Sequence, residues 1–130
     1  MEYLRTVIYV DSVEETLDFY YQAFQLSTAY LDDEGQYGEL DIAGANIAFC
    51  AHTKAQSRLK QNYIRSQPKQ PALGVELVLQ CDDLVKTYQQ AIDAGAEPLM
   101  EPCSLSTGGL IAYVRSIEGT LISLSQKKLT

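Results

Sequence analysis

Ionisable and aromatic side chains recur at alternate positions in several apolar stretches of this 130-residue chain. Side chains an even number of positions apart in a strand share one face of the sheet. Guanidinium, carboxylate and phenol groups on a shared face can bind a small molecule by stacking, cation–π contact and hydrogen bonding. The alternation places a set of candidate ligand-binding residues around one cleft: Arg5, Tyr9, Tyr37, Glu39, Cys50, His52, Glu76, Tyr113 and Ser123. Arg115 is a further, less regular candidate on the same face as Tyr113.

We expect the cleft to be negatively charged. Glu39, Asp41 and Glu76 share its predicted faces, which favours an amphipathic or cationic ligand. The whole chain has 17 acidic and 10 basic residues, for a net charge of −7 at pH 7. Nucleic acids and anionic membranes are disfavoured as partners, because phosphate binding needs a cationic face.

Few other groups indicate chemistry. The sequence contains no nucleophile with an adjacent histidine and no glycine-rich phosphate loop. Cys50, Cys81 and Cys103 are far apart, without a C-x-x-C pair, which favours reduced thiols over disulfides or a zinc site. His52 is the only histidine, and a lone histidine at a strand end is more often a hydrogen-bonding residue than a metal ligand. Without a signal-peptide pattern or an apolar run near the roughly 18 residues that span a bilayer, we expect a cytoplasmic protein.

The elements that must position these residues occur twice. An alternating apolar run leads into a capped helix at residues 7–24, and the same order recurs at residues 76–92. Ser12 with Glu15 forms a capping-box pattern at the first helix, and Asp82 or Asp83 caps the second, which ends before Gly95. Strands are predicted at about 3–10, 26–33, 36–43, 46–51, 74–81, 97–103, 109–115 and 120–126.

This pattern predicts an α+β fold of two tandem β-α-β-β-β modules around a shared cleft. We expect a single domain over residues 1–130, with module one at about 1–52 and module two at about 73–127. The linker at about 53–72 is rich in basic residues, with a frayed helix near 55–63. It is either a solvated crossover or a flap over the cleft, with Tyr63 and Ile64 as its apolar contacts.

The order of short motifs in both halves resembles the glyoxalase, bleomycin-resistance and dioxygenase superfamily, also called vicinal oxygen chelate proteins. The motifs are Val10-Asp11-Ser12-Val13, Leu17-Asp18-Phe19-Tyr20, Tyr37-Gly38-Glu39-Leu40-Asp41, Asp82-Asp83-Leu84, Ala94-Gly95-Ala96 and Tyr113-Val114-Arg115-Ser116-Ile117-Glu118-Gly119. The resemblance implies two β-α-β-β-β modules whose sheets form a partial barrel around a cavity, usually in a homodimer. Glu118-Gly119 keeps the turn glycine of the family's Asp-Pro-Asp-Gly pattern.

The resemblance also implies where a divalent metal would be held, on the first and last strands of each module. The matching positions here are Arg5, Glu76 and Ser123, with a fourth near Ala48 or Cys50. A guanidinium has no lone pair to offer a metal, and a serine hydroxyl is a weak neutral ligand. We therefore expect no metal and no other cofactor.

Three functions remain open from the sequence. The first is a metal-independent protein that binds a small organic molecule, as in the bleomycin-resistance branch. The second is a metal-dependent lyase or dioxygenase with a degenerate site that uses Glu76, His52 and Glu39. The third is a structural homodimer whose cavity is closed by a buried Arg5–Glu76 ion pair.

Overall fold

The computed structural model describes residues 1–128. It contains eight strands and three helices in that range. Their bounds are β1 Thr6–Val10, α1 Val13–Phe24, β2 Thr28–Leu31, β3 Tyr37–Leu40, β4 Ile47–Ala51, α2 His52–Leu59, β5 Glu76–Gln80, α3 Leu84–Asp93, β6 Glu97–Ser104, β7 Leu110–Arg115 and β8 Leu121–Gln126. The α+β class and the repeated strand–helix–three-strand order are confirmed.

The strands form two four-stranded mixed sheets with the same topology. The strand order is β1-β4-β3-β2 in the first sheet and β5-β8-β7-β6 in the second. In each sheet the first strand pairs in parallel with the last, and the remaining pairs are antiparallel. Because the first and last strands are neighbours, residues far apart in the sequence meet on one face of each sheet.

Helix α1 follows β1 after the cap that the sequence predicts. The Ser12 hydroxyl accepts a hydrogen bond from the Glu15 backbone N–H at 3.2 Å. The helix packs closely over β3, where a Cβ on Gly38 would lie 2.7 Å from the Leu17 side chain. Gly38 therefore allows the helix to approach the sheet.

Helix α3 repeats this arrangement in the second half. The Asp83 side chain accepts from the Lys86 backbone N–H, and Gly95 follows the helix with a φ of +115°. Helix α3 packs against α1 as well as its own sheet. The two halves share one buried core, which includes Tyr20, Phe49, Leu84, Ile122 and Leu124.

Helix α2 begins earlier than the sequence predicts. It starts at His52, directly after β4, and ends at Leu59, whereas the pattern suggested a frayed helix near 55–63. Its N-terminus has no side-chain cap, so the usual sequence signal for a helix start is missing. His52 was expected on the strand face, and it is instead the first residue of a helix.

The linker is held against the second half chiefly by one side chain. Arg115 is buried, and its guanidinium donates to the carbonyls of Gln67, Pro68, Gln70 and Gly119 at 2.7 to 3.1 Å. The candidate placement of Arg115 on the cleft is wrong, because linker backbone surrounds it. Within residues 1–128, no helix is both long enough and apolar enough to cross a membrane.

Candidate functional site

Strands β1, β3 and β4 together with helix α2 enclose an open cavity of about 470 Å³, which we call the tyrosine cavity. It contains five of the nine candidate residues: Arg5, Tyr9, Tyr37, Glu39 and Cys50. They meet because β4 lies between β1 and β3, with Tyr9 and Tyr37 both paired to Cys50 in the two ladders. The remaining lining residues are Val7, Tyr30, Lys54, Ala55 and Arg58.

Glu39 is the centre of a polar cluster in this cavity. Its Oε2 atom accepts a hydrogen bond from the Tyr37 hydroxyl at 2.9 Å and lies 3.6 Å from Nε of Arg5. Burial, followed by the bond to Glu39, raises the pKa of Tyr37 to about 12. Tyr37 is therefore a neutral hydrogen-bond donor at physiological pH, and its ring also lies 5.6 Å from Nζ of Lys54.

The buried Arg5–Glu76 pair on which the structural-dimer alternative depends does not form among residues 1–128. Arg5 contacts Glu39, and its side chain is 45% exposed. Glu76 is exposed on β5 and does not line the tyrosine cavity. An exposed contact at 3.6 Å forms readily between strands of one sheet, without the desolvation cost of a buried pair.

The predicted negative charge of the cleft is also wrong for this cavity. Lys54 and Arg58 of α2 join Arg5 in its lining, and Glu39 is the only carboxylate there. Asp41 lies beyond the end of β3 and is exposed. The four-residue spacing of Lys54 and Arg58 places both side chains on one face of a helix. The sequence otherwise predicts a linker at these positions.

Cys50 lies at the buried base of the cavity. Burial raises the pKa of its thiol, while the nearby charges of Lys54 and Arg58 act in the opposite direction. The Sγ atom lies 3.7 Å from the carbonyl oxygen of Ala51, a distance that permits a weak hydrogen bond. The group is therefore a protonated thiol and a poor nucleophile at neutral pH.

His52 lines a second, smaller cavity of about 240 Å³ between β1, β5 and the linker, which we call the junction cavity. Its Nδ1 atom lies 2.7 Å from the Tyr63 hydroxyl, and the Tyr63 ring contacts Tyr9 with centroids 5.1 Å apart. Tyr63, which the flap alternative names as an apolar contact, therefore touches the first module through both its hydroxyl and its ring. Ile64 also lines this cavity, although most of its side chain is exposed.

The charge state of His52 follows from its burial. Burial, with a contribution from Arg65, lowers its pKa, although Asp11 opposes the shift. The imidazole is therefore mainly neutral at pH 7, so its 3.6 Å contact with Asp11 is not a strong ion pair. Its Nε2 atom is buried without a hydrogen-bond partner among residues 1–128.

The remaining candidates lie on the second sheet. Tyr113 of β7 is opposite Ser123 of β8, and Glu76 of β5 is opposite Leu121. Ser123 is buried, whereas Glu76 is exposed. The fold therefore separates these three residues from the five in the tyrosine cavity.

The chain belongs to the glyoxalase/bleomycin resistance protein/dioxygenase superfamily, whose family model matches residues 3–124. A search of curated proteins gives no match. The two β-α-β-β-β modules are those that the sequence resemblance implies.

Solved structures show the same fold at low sequence identity. A glyoxalase-related enzyme from Fulvimarina pelagi aligns with a TM-score of 0.81 and 13% identity, over 98% of this chain and 89% of that one. A family enzyme from Burkholderia phytofirmans aligns at 0.75 and 18%, over 94% and 95%. The fosfomycin resistance protein FosX from Mesorhizobium loti aligns at 0.67 and 11%, over 98% and 93%. At these identities the likeness shows the fold alone.

The residues at the family's metal positions do not fit a metal. Arg5 brings a fixed positive charge to the first position, and Ser123 brings a neutral hydroxyl to the last. Glu76 lies on the other sheet from the Glu39 cluster. In the part of the chain that the structure describes, no three His, Cys, Asp or Glu side chains converge as metal ligands would.

Proposed function

We propose that this chain is a metal-independent protein that binds a small amphipathic organic molecule in the tyrosine cavity, in the manner of the bleomycin-resistance type. The observation that carries the proposal is the convergence of five candidate residues on one cavity of about 470 Å³. Cavities that bind small organic ligands are usually concave and about 300 to 1,000 Å³ in volume, with a few directed polar groups.

The chemistry of the lining supports a flat or aromatic ligand body. Tyr9, Tyr30 and Tyr37 line the cavity, and the rings of Tyr30 and Tyr37 are 6.2 Å apart. Tyrosine supplies a large apolar surface with only two rotatable side-chain bonds, so ordering it costs little entropy. The Glu39 cluster adds a polar anchor. Three free cysteines among the described residues are compatible with a proposed cytosolic location.

The proposal is tested with N-phenyl-1-naphthylamine, a neutral amphipathic probe whose fluorescence rises in apolar sites. We expect saturable binding of about one probe per chain. Tyr30→Ala should weaken this binding about tenfold, since Tyr30 is exposed at the cavity and its ring offers a stacking surface. Tyr21→Ala is the matched control, because Tyr21 is equally exposed on α1 and does not line the cavity. Equal effects of the two variants, or no saturable binding, would contradict the proposal.

Metal independence is tested separately by elemental analysis of protein purified without an affinity tag. We expect much less than one transition metal per chain, since a guanidinium stands at the first ligand position. About one nickel, zinc, iron or manganese per chain would instead support the degenerate lyase or dioxygenase. That alternative would need Glu39, His52 and Glu76, which here lie in three different surroundings.

A further inference from the structure

The tyrosine cavity has a charge opposite to that of the chain as a whole. Arg5, Lys54 and Arg58 line it, against Glu39 alone, while the whole chain carries −7. Asp32 lies just outside the lining and contacts Lys54. Even with Asp32 included, cations outnumber carboxylates at this site.

The three cations differ in what they already contact. Arg5 lies beside Glu39, and Lys54 Nζ lies 3.4 Å from Asp32 Oδ2. Arg58 has no hydrogen bond or ion pair with any residue from 1 to 128. It is therefore the cation of this cavity with its donors available to a ligand, and its five N–H groups suit a carboxylate or a similar acid group.

Helix α2 fixes the position of this cation. Lys54 and Arg58 are four residues apart, and Ala55 between them is buried against the sheet. The helix starts directly after β4, so no flexible loop separates Arg58 from the strand that carries Cys50. The charges of Lys54 and Arg58 already act on Cys50, where they oppose the rise in the pKa of the thiol that burial causes.

We propose, as an extension of the proposed function, that the ligand is an amphipathic organic anion whose acid group is bound by Arg58 with help from Lys54. Its apolar body lies against Tyr9, Tyr30 and Tyr37. The Tyr37–Glu39 pair lies in the same cavity, and its carboxylate is already neutralised in part by Arg5. A cationic ligand would have to approach Arg58, whose charge is not offset by an ion pair within residues 1–128.

A matched pair of probes tests this inference. The anion 8-anilinonaphthalene-1-sulfonate has the same ring skeleton as N-phenyl-1-naphthylamine and adds one sulfonate. We expect the anion to bind more tightly, and Arg58→Gln to weaken its binding about tenfold, the value typical of one charge-assisted hydrogen bond. The same substitution should leave binding of the neutral probe within about twofold.

Two further variants separate a local contact from a general charge effect. Lys69→Gln removes one positive charge from an exposed linker position that does not line the cavity. This substitution should change the affinity for neither probe. Arg58→Lys keeps the charge and should retain most of the affinity for the anion. Raising the salt concentration from about 0.05 M to about 0.5 M should weaken only the anion, because both cations are partly exposed.

The outcomes distinguish this inference from the proposed function. Equal affinities for the two probes, or equal effects of Arg58→Gln and Lys69→Gln, would overturn the inference and leave the binding function intact. Failure of both probes to bind saturably would overturn both. Circular dichroism and a melting curve for each variant confirm folding, which the exposure of Arg58 leads us to expect.

Discussion

Glu118 illustrates what one buried carboxylate requires of its neighbours. It lies in the turn between β7 and β8, where its Oε2 atom accepts a hydrogen bond from the Tyr20 hydroxyl at 2.8 Å. Burial, followed by the charge of Glu118, raises the pKa of Tyr20 well above its ordinary value. Its Oε1 atom has no partner in the described residues. This bond therefore joins α1 of the first half to the second half through the core.

Removing the hydroxyl of Tyr20 should destabilise the protein. Tyr20→Phe leaves both oxygens of Glu118 without a donor in a buried site, and we expect a loss of about 1 to 3 kcal/mol in the free energy of unfolding. Urea denaturation measures it. Tyr21→Phe is the control, because Tyr21 is 53% exposed and should change stability by less than about 0.5 kcal/mol. Equal losses in the two variants would show that the bond contributes nothing specific.

Protonation of His52 in mild acid should lower the stability of the folded protein. Its folded pKa lies below the ordinary value of 6.5, so the unfolded chain binds the proton more readily. Stability from this group is fully present above about pH 6.5 and is lost as the pH falls through the folded pKa. We expect the melting temperature to fall between about pH 7 and pH 5, and His52→Gln to flatten that dependence. An unchanged slope in the variant would assign it to other groups.

The sequence predicts which residues line the tyrosine cavity better than it predicts which of them contact each other. Alternation alone was enough to bring together Arg5, Tyr9, Tyr37, Glu39 and Cys50. Alternation does not identify the partner of Arg5, because more than one carboxylate shares the predicted cleft. The order of the strands in the sheets determines which carboxylate lies near Arg5. With β4 between β1 and β3, Arg5 reaches Glu39 and not Glu76.

Among the elements, the segment 66–70 shows how a linker is fixed without secondary structure. Arg115 binds three of its carbonyls, and the Ser66 hydroxyl donates to the Glu118 carbonyl at 3.0 Å. Gly119, with a φ of +97°, lets the linker approach, since a Cβ there would lie 2.6 Å from Ser66 Oγ. The linker is therefore anchored at residues 66–70 and is not free along its whole length.

We expect Arg115→Lys to release this segment. Lysine keeps the charge, but its single ammonium cannot donate to four carbonyls spread around a planar guanidinium. Amide exchange of Gln70, whose N–H donates to the Gln67 carbonyl, should become faster, and the free energy of unfolding should fall by about 2 kcal/mol. Arg65→Lys is the control at an exposed linker position. Unchanged exchange in Arg115→Lys would show that other contacts hold the linker.

Helix α2 marks the limit of prediction at the element scale. Helices α1 and α3 carry the cap residues Ser12 and Asp83, and both were placed to within a residue or two. Helix α2 begins without a cap and ends at Lys60 in a left-handed conformation that usually favours glycine. Packing of its short buried face on β4, rather than a local sequence signal, determines where α2 starts. The sequence therefore does not predict that Lys54 and Arg58 line the cavity.

One face of strand β5 is exposed, and this exposure is relevant to the oligomeric state of the protein. Strands β5 and β1 are both edge strands, and Val78 of β5 is 62% exposed. Edge strands and apolar surface are usually covered in a stable protein. We therefore predict a homodimer in which this face is buried.

Sedimentation velocity at micromolar concentration should show the dimer. Val78→Glu places a charge in the predicted interface and should shift the equilibrium to monomer. The control is Val85→Glu, because Val85 is 56% exposed on α3 and lies outside β5, and its variant should remain dimeric. A wild-type monomer, or identical behaviour of the two variants, would contradict this interface.

The parallel pairing of β1 with β4 has a kinetic consequence. Thr6 pairs with Ile47 and Glu76 with Leu121, so each module closes only when its ends, separated by about forty residues, have met. During synthesis β1 emerges first and must wait unpaired until β4 leaves the ribosome, while α1 and the β2–β3 hairpin can form locally. Each sheet is thus completed by its last-made strand, and the refolding rate should be limited by this late closure rather than by helix formation.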